Sequence, residues 1–315
     1  MTIADLLTLN WQKQIIPRKW LRFLYRSQIL NSKKEYSLPF ECDFYGMRYR
    51  GDIANAIDFH CFFYGAFEKG HLFFWKDVAE TLYDKKGIFI DIGANTGHHS
   101  LFMSAISSIV HAFEPYEPVR EKITEKIQLN NISNIIIHDI GIGDKDDIMP
   151  FYAPKGSNLG LGSFVANQEN REEIGEPLRI AAGDEYILSK VTGDIHMIKI
   201  DVEAFEKHVI RGINKTLNKY RPVVVFELEI GLDCSFTSNK EIKESFPNNY
   251  LFFIFDIWEK NGKKDKRKEG KMRKKGIYKI VNFNFDMIKE QTDVIAFPDE
   301  LFHKFKNIMG WCPPI

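Results

Sequence analysis

From about residue 87 onward, short apolar runs alternate with segments of helical periodicity, and this alternation restricts the fold more than any other feature. Apolar runs of strand length occur at 88–92, 109–113, 135–139, 196–201 and 223–226. Between two of them, Val119, Ile123 and Ile127 recur at helical spacing. Strands that alternate with helices form a parallel sheet covered by helices on both faces. The sequence therefore predicts a doubly wound α/β fold.

The two ends of the chain have a different pattern. Three strand-like runs at 251–255, 278–281 and 294–297 are joined by turn-rich segments, so we expect antiparallel pairing at one sheet edge. We expect residues 1–80 to be an N-terminal segment, helical and then extended, that packs on a main domain at 81–315. Residues 141–183 are irregular and rich in Gly, Asn, Ser and Pro, which is typical of a functional lid or a disordered segment.

The composition excludes several classes of protein. Lys+Arg and Asp+Glu each total 43, so the overall charge gives no sign of a polyanionic partner. Four separated cysteines without a C-x-x-C pair argue against a zinc site and a disulfide scaffold. No run approaches the roughly 20 apolar residues that span a bilayer. We expect a cytoplasmic protein.

A glycine turn follows the first apolar run, where Asp91, Gly93, Asn95 and Gly97 alternate. Glycine lets the backbone approach a ligand closely because it has no side chain and tolerates positive φ. Asn95 stands where a third glycine often occurs, and asparagine also enters the left-handed region. Glu114 lies 21 residues beyond Gly93, where an acidic side chain can accept hydrogen bonds from both ribose hydroxyls. The turn therefore indicates a nucleotide-type cofactor.

The same residues argue against a dinucleotide. A G-x-G-x-x-G turn would need glycines at 93, 95 and 98, and the chain has Asn95 and His98 at the last two positions. The pattern suits a cofactor without a pyrophosphate. A simple strand–helix turn capped by Asn95 is the alternative, but it does not explain the position of Glu114.

Three segments together resemble the FkbM-type methyltransferases, which are class I, Rossmann-like enzymes that use S-adenosylmethionine. They read F-I-D-I-G-A-N-T-G-H-H-S at 89–100, H-A-F-E-P at 111–115 and I-K-I-D-V-E-A-F-E-K-H-V-I-R-G at 198–212. The resemblance covers about residues 60–230 and departs from the family at Ala204, where a glycine is usual. It implies seven strands in the order 3-2-1-4-5-7-6 with an antiparallel seventh, and O-methylation of a sugar, glycan or related hydroxyl.

We predict that the cofactor, S-adenosyl-L-methionine, contacts the glycine turn and residues near it. The predicted set is Glu68, Asp91, Gly93, Ala94, Asn95, Gly97, His98, Glu114, Pro115 and Asp139. His98 would contribute its backbone N–H, and Glu68 is carried over from the resemblance. Asp139 would contact the adenine amino group, with an ordinary turn before Gly141 as the equal alternative.

Carboxylates at the ends of the fourth and fifth strands provide the candidate chemistry. Ligands bind beyond the carboxyl ends of parallel strands, where Asp201, Glu203 and Glu227 lie, so we predict these three as catalytic. Helix capping is the alternative for the first two. Asn158 and Ser163 in the long loop would contact the acceptor. Magnesium would suit several carboxylates, but no histidine–carboxylate motif supports it, and we predict no metal ligand.

The segment from 260 to 275 contains ten Lys and Arg residues and only two acidic ones. We predict a projecting basic hairpin near 258–277. It is either a solvated loop or a peripheral contact with an anionic membrane or acidic glycan. Interleaved aromatics are missing, which argues against nucleic acid. The oligomeric state is not indicated.

Two other functions stay open. One is an NAD(P)-dependent dehydrogenase or epimerase, which Asn95 and His98 oppose. The other is a catalytically silent cofactor-binding scaffold.

Overall fold

The computed structural model describes residues 37–154, 162–165, 171–173, 176–232, 234–259 and 261–309. The predicted N-terminal helix and Asn158 lie outside these residues. The strands are β1 Pro39–Phe44, β2 Met47–Asp52, β3 Ile88–Ile92, β4 Ile109–Phe113, β5 Ile135–His138, β6 Gly141–Gly143, β7 Asp147–Met149, β8 Tyr152–Pro154, β9 Arg171–Glu173, β10 Leu178–Ala182, β11 Ile195–Ile200, β12 Val223–Leu228, β13 Tyr250–Phe255, β14 Ile280–Asn282 and β15 Thr292–Pro298. The α-helices are α1 Ala56–Tyr64, α2 Lys69–Tyr83, α3 His98–Ser104, α4 Glu117–Asn130, α5 Gly183–Lys190, α6 Glu206–Gly212, α7 Asn214–Tyr220, α8 Asn239–Ser245, α9 Lys266–Lys275 and α10 Asp299–Met309.

The fold is α/β, with a large mixed sheet flanked by helices. Eight of the described strands form this sheet, in the order β14-β13-β15-β12-β11-β3-β4-β5. The strands from β12 to β5 are parallel, whereas β15 runs antiparallel to both of its neighbours. The expected number of seven is wrong, because β14 adds an eighth strand beside β13. Without β14, the others numbered along the chain run 3-2-1-4-5-7-6.

Side chains of β3 alternate between the two faces of the sheet and enter two different apolar cores. Phe89 belongs to the core that contains α2 and α10, and Ile90 belongs to the core that contains α6 and α7. All five residues of the strand are buried. Burial on both faces explains why the strand reads as a continuous apolar run. Asp91 points to the same face as Phe89, and this places a carboxylate on the α2 side.

Residues 37–83 begin with the β1–β2 hairpin and end with α2, which continues through residue 80, the expected segment boundary. The Trp75 ring lies 5.2 Å from that of Phe89, and the Phe74 ring lies 6.5 Å from that of Phe297. Each fully buried aromatic side chain contributes about 1.5–3 kcal/mol. Helix α2 therefore belongs to the central core.

The expected basic hairpin is wrong, because most of the basic residues form helix α9. The Asp265 carboxylate caps this helix by accepting hydrogen bonds from the N–H groups of Arg267 and Lys268. Gly276 ends it with a φ of 69°. The irregular stretch at 141–183 contributes short strands, of which β6, β10 and β7 form a small separate sheet. Among the described helices, none has the length and apolar character that crossing a bilayer requires.

Candidate functional site

The turn after β3 is built from three residues in the left-handed region. The φ angles of Gly93, Asn95 and Gly97 are 78°, 53° and 78°. A Cβ atom on Gly93 would stand 1.8 Å from the backbone oxygen of Asp201. Glycine is therefore required there on two grounds, the sign of φ and the close approach of β11. Asn95 adopts its conformation with its side-chain oxygen accepting from the Thr96 N–H at 2.7 Å.

Glu114 lies directly against this turn. One carboxylate oxygen accepts from the Asn95 N–H and the other from the Tyr116 N–H, both at 3.0 Å. Burial raises the pKa of Glu114 to about 7, although both backbone hydrogen bonds act in the opposite direction. The spacing of 21 residues therefore becomes a direct contact between the ends of β3 and β4.

A narrow cavity beside the turn, called the turn cavity below, has a volume of about 50 Å³. Its lining comprises Ile92, Gly93, Asn95, Phe113, Glu114, Pro115, Ile140, Gly141, Ile142, Phe151, Gly162, Ser163, Phe164, Asp201, Val202, Glu203 and Phe205. Phe151 and Phe164 narrow it, with ring centroids 5.2 Å apart. Glu114 and Pro115 thus line the same cavity as the glycine turn.

A second and larger cavity of about 280 Å³, called the acidic cavity below, lies next to the first. Its lining comprises Ala56, Ile57, Phe67, Glu68, Ala94, Asn95, His98, His99, Lys199, Asp201, Glu203, Glu227, Lys264, Gln291, Thr292 and Asp293. Asn95, Asp201 and Glu203 line both cavities. The predicted turn residues and the predicted strand-end carboxylates therefore meet at a shared rim.

Asp201, Glu203 and Glu227 approach one another closely in the acidic cavity, with one carboxylate oxygen from each within 4.8 Å of the others. Burial raises the pKa of Glu227 well above its usual value, and the charges of Asp201 and neighbouring carboxylates add to this. Among the described residues, Glu227 Oε2 has no hydrogen-bond partner. Glu227 therefore holds a proton more tightly than an ordinary glutamate does.

Lys199 holds two of the predicted acidic residues together. Its ammonium lies 3.0 Å from Asp201 Oδ2 and 3.6 Å from Asp91 Oδ1. Asp91 is fully buried and also accepts a hydrogen bond from Ser100 Oγ at 2.6 Å. Burial alone would lower the pKa of Lys199, but the two carboxylates outweigh it and raise the pKa. Asp91 therefore stabilises the site through its ion pair with Lys199.

Known proteins match the segment that carries these residues. The Methyltransferase FkbM domain matches residues 91–252.

The chain belongs to the FkbM methyltransferase family.

Two characterised relatives are each 25% identical to the chain. They are Methyltransferase 1 of Beauveria bassiana, over 143 residues, and the hexuronic acid methyltransferase AglP of Haloferax volcanii, over 151 residues. The matches cover 40% and 48% of this chain and only 57% and 59% of the relatives. The crystal structure of a methyltransferase FkbM from Methylobacillus flagellatus KT is 11% identical, with a TM-score of 0.40, covering 70% of this chain and 48% of that one.

The other residues predicted to bind the cofactor are placed differently in this member of the family. Asp139 is exposed, whereas the next residue, Ile140, lines the cavity. Ala94 lines the acidic cavity and is buried, and Gly97 packs against the side chain of Ile123. The contribution of each to cofactor binding stays a prediction.

Ser163 is buried, and its hydroxyl donates to the backbone oxygen of Glu203 at 2.5 Å. The Ser163 hydroxyl oxygen also accepts a hydrogen bond from the Val165 N–H at 3.0 Å. Ser163 therefore fastens the loop to the rim shared by both cavities. Direct contact with an acceptor stays a prediction for Ser163, and Asn158 lies outside the described residues.

Sequence reasoning missed Lys199, His71 and Asp293. His71 Nε2 lies 2.9 Å from Asp293 Oδ2, which lines the acidic cavity. Burial would lower the pKa of His71, but Asp293 and Glu68 outweigh it and raise the pKa to about 9. The signal for Lys199 was available, because a lysine inside the apolar strand I-H-M-I-K-I must be buried. His71 and Asp293 are 222 residues apart, and no local pattern joins them.

A still larger cavity, of about 620 Å³, lies away from the strand ends and is lined mainly by apolar side chains such as Tyr45, Phe73 and Phe102. Its acidic lining residue, Asp77, accepts a hydrogen bond from Tyr278 at 2.5 Å. The strand-end carboxylates line the acidic cavity instead. The residues predicted to carry the chemistry therefore lie outside this larger cavity.

Proposed function

We propose that this FkbM methyltransferase transfers a methyl group from S-adenosyl-L-methionine to a hydroxyl of a sugar, glycan or related metabolite. The observation that carries the proposal is the meeting of the two cavities at Asn95, Asp201 and Glu203. One cavity contains the glycine turn and Glu114, and the other contains the carboxylates. A methyl donor in the first and an acceptor in the second would meet at the rim, as an in-line displacement requires.

The residues around the turn cavity fit this cofactor. Glu114 presents a carboxylate for the two ribose hydroxyls, and Phe113, Ile142 and Phe151 provide apolar walls for an adenine ring. The left-handed turn at Gly93 offers backbone close to the amino-acid moiety. When bound, the cofactor supplies a methyl group on a positively charged sulfur. Because the cavity is narrow, the rings of Phe151 and Phe164 must move when the cofactor enters.

The acidic cavity fits the other half of the reaction. In its ionised form Glu227 accepts the proton of the acceptor hydroxyl, and the raised pKa makes that form a stronger base than an ordinary glutamate. Its Oε2 has no hydrogen-bond partner among the described residues. Asp201 orients the acceptor, since it already accepts a hydrogen bond from Lys199 at 3.0 Å. Glu203 lies at the rim with a φ of 55°. The three carboxylates are also oxygen ligands of the kind that magnesium prefers, but the Asp201 carboxylate is already paired with the Lys199 ammonium.

A hydroxyl-rich acceptor suits the rest of this lining. Lys264, Gln291 and Thr292 add further hydrogen-bonding groups to the lining. The name of the Haloferax relative, a hexuronic acid methyltransferase, supports a sugar as the acceptor class. A catalytically silent scaffold would have no use for a buried carboxylate oxygen that lacks a described partner beside Asp201 and Glu203.

The first test measures cofactor choice by calorimetry with S-adenosylhomocysteine and, separately, with NAD. We expect binding of S-adenosylhomocysteine. Tight binding of NAD without affinity for the homocysteine product would contradict the proposal and favour a dehydrogenase or epimerase.

The second test follows labelled methyl groups from S-adenosylmethionine into glycan and uronic-acid acceptors. We expect Glu227→Gln to lower kcat by about 10²–10⁴-fold, as loss of a general base does. Glu244→Gln, at an exposed position on α8, is the control and should keep full transfer. If S-adenosylhomocysteine binds but no methyl group is transferred to a hydroxyl, the result would contradict the proposal and favour a catalytically silent scaffold.

A further inference from the structure

The end of the acidic cavity nearest α2 and α3 contains two histidines and a glutamate that face one another. One ligand-type atom each from Glu68, His98 and His99 lies within 4.8 Å of the other two. His99 Nε2 is 3.6 Å from Glu68 Oε2. Two imidazoles and one carboxylate in such proximity match the ligand spacing around a single transition-metal ion.

Both histidines carry a buried nitrogen that the described part of the chain leaves without a hydrogen-bond partner. The atoms are His98 Nε2 and His99 Nε2, and the two residues are only 4% and 3% exposed. Leaving a buried polar atom unsatisfied costs about 1–3 kcal/mol. Two such atoms on neighbouring residues, beside a carboxylate, indicate a ligand that satisfies both.

The backbone of Phe67 acts on the ring of His98. It raises the pKa of this ring, against the burial that lowers it, and Nε2 is the nitrogen left unpaired among the described residues. A histidine that binds a metal through one nitrogen usually donates its other N–H to a carbonyl or carboxylate. The backbone of Phe67 is the group beside His98 that could give a metal-binding ring this support.

Glu68 is held in an unusual conformation. It stands at the N-terminus of α2 with a φ of 44°, and no capping hydrogen bond from its side chain is seen in the described structure. A non-glycine residue in the left-handed region costs about 1–2 kcal/mol. The carboxylate is thus directed towards His99 instead of capping its own helix. Strain of this kind collects at binding sites.

Nearby positive charges do not occupy the cluster. Lys199, which lines the same cavity, is paired with Asp91 and Asp201. His71 pairs with Asp293 at 2.9 Å. The Lys264 ammonium is 5.6 Å from the ring of Trp258.

We propose that Glu68, His98 and His99 bind a divalent first-row transition-metal ion, with its open coordination positions facing the acidic cavity. Two nitrogens and one oxygen favour Zn²⁺, Mn²⁺ or Fe²⁺ over Mg²⁺, which prefers oxygen ligands alone. Its use in orienting an acceptor hydroxyl rests on the proposed methyl transfer, whereas the metal site itself does not.

The test titrates Zn²⁺ and Co²⁺ into the full chain, purified without a histidine tag and stripped with a chelator, with no cofactor or acceptor present. We expect one equivalent to bind and Co²⁺ to give a d–d absorption spectrum. His98→Gln and Glu68→Gln should each weaken binding by at least about 10–100-fold. His303→Gln is the control, since this exposed histidine pairs with Asp299 on the surface and should leave binding unchanged.

His71→Gln separates this cluster from the neighbouring one formed by Glu68, His71 and Asp293. We expect binding to survive this change. Binding lost in His71→Gln and kept in His98→Gln would overturn the proposal, as would a wild-type chain that binds no stoichiometric metal. Circular dichroism checks that each variant is folded.

X-ray absorption of the zinc-loaded wild type keeps the proposal testable if the variants do not fold. We expect imidazole nitrogens at about 2.0–2.1 Å in the ligand shell. A shell of oxygens alone would place the ion at Asp201, Glu203 and Glu227 and overturn the proposal. Since neither measurement involves methyl transfer, a failed metal site and a failed methyltransferase are distinguishable.

Discussion

The backbone oxygen of Asp201 lies 1.8 Å from the point where a Cβ atom on Gly93 would stand. This contact joins the ends of β3 and β11, where the Asp201 N–H also donates to the backbone oxygen of Ile92 at 3.0 Å. The glycine turn and the carboxylate that follows β11 are therefore parts of one rigid structure. A change at either one must displace the other.

Gly93→Ala tests this contact. The left-handed φ costs an alanine about 1–2 kcal/mol, and the approach of Asp201 adds a backbone displacement. We expect a loss of stability well above 2 kcal/mol in urea unfolding, together with loss of S-adenosylhomocysteine binding. Gly231→Ala is the matched control, since Gly231 has a φ of 86° and nothing described within 4 Å of its added Cβ. Equal losses in the two variants would show that the contact contributes nothing.

Lys199→Met is expected to destabilise the fold strongly. It leaves the fully buried Asp91 without its cation, and breaking a buried pair costs about 3–5 kcal/mol. Chemical unfolding measures the loss. Adding Asp91→Asn to this variant should recover part of it, because an amide keeps an acceptor for Ser100 without a charge. A double variant as unstable as the single one would argue against an uncompensated charge as the cause.

Cofactor affinity should depend on pH through Glu114, whose pKa is raised to about 7. Its ionised form accepts hydrogen bonds from ribose hydroxyls, so binding of S-adenosylhomocysteine should weaken as the pH falls below 7. Between pH 8 and pH 6 the expected loss is about tenfold. Glu114→Gln should bind more weakly by about 1–3 kcal/mol and show a flatter pH profile. Calorimetry across this pH range checks both, with Glu117→Gln in the exposed first turn of α4 as the control.

Glu206→Gln is expected to change the pH dependence of stability. Burial raises the pKa of Glu206 to about 8, although its carboxylate accepts from the Val202 N–H. A carboxyl whose folded pKa exceeds its unfolded value stabilises the fold at low pH, and this contribution is lost as the pH rises through the folded pKa. The stability of the variant relative to the wild type should therefore increase as the pH rises from about 5 to about 8. Thermal unfolding measures this, and a constant difference across that range would contradict it.

Contact of the basic segment with an anionic membrane or acidic glycan stays a prediction, and its helical form now defines a test. Lys266, Lys271 and Lys274 are exposed on α9. Each lysine near an anionic surface contributes about 1 kcal/mol, so reversing all three to Glu should weaken binding to phosphatidylserine vesicles by more than about 100-fold. Sedimentation with vesicles at low salt measures this.

A control variant carries the same charge change elsewhere, at Lys122, Lys215 and Lys219, which are also exposed. Equal loss in both variants would indicate a general charge effect. No binding by the wild type would leave α9 as a solvated helix.

Local pattern was sufficient for the strands of the large sheet and for the turn. The run at 88–92 is β3 as expected, and Asn95 takes the left-handed conformation that its position in the turn implied. Local pattern also contained the signals for α9, since Asp265 can cap a helix and Gly276 can end one. The hairpin interpretation gave weight to the neighbouring strands and neglected the good helix propensity of lysine and arginine.

Which distant side chains pair with each other could not be predicted from the sequence. Asp91 and Lys199 are both visible in it, but which residue of β11 lies beside which residue of β3 depends on register. The register places Lys199 opposite Asp91. Similarly, the cluster of Glu68, His98 and His99 requires α2 and α3 to pack together, and the sequence analysis predicted no metal ligand at all.

The sequence by itself determined the elements of the sheet, the glycine turn and the acidic residue that contacts this turn. Each of these depends on backbone preferences and on short spacings along the chain. Only the tertiary structure decided that Glu227 and Asp201 share a cavity with the histidines, and that Lys199 neutralises two carboxylates. The reason is physical. Strand order and register bring together side chains more than a hundred residues apart, and the charge of each buried group depends on those neighbours.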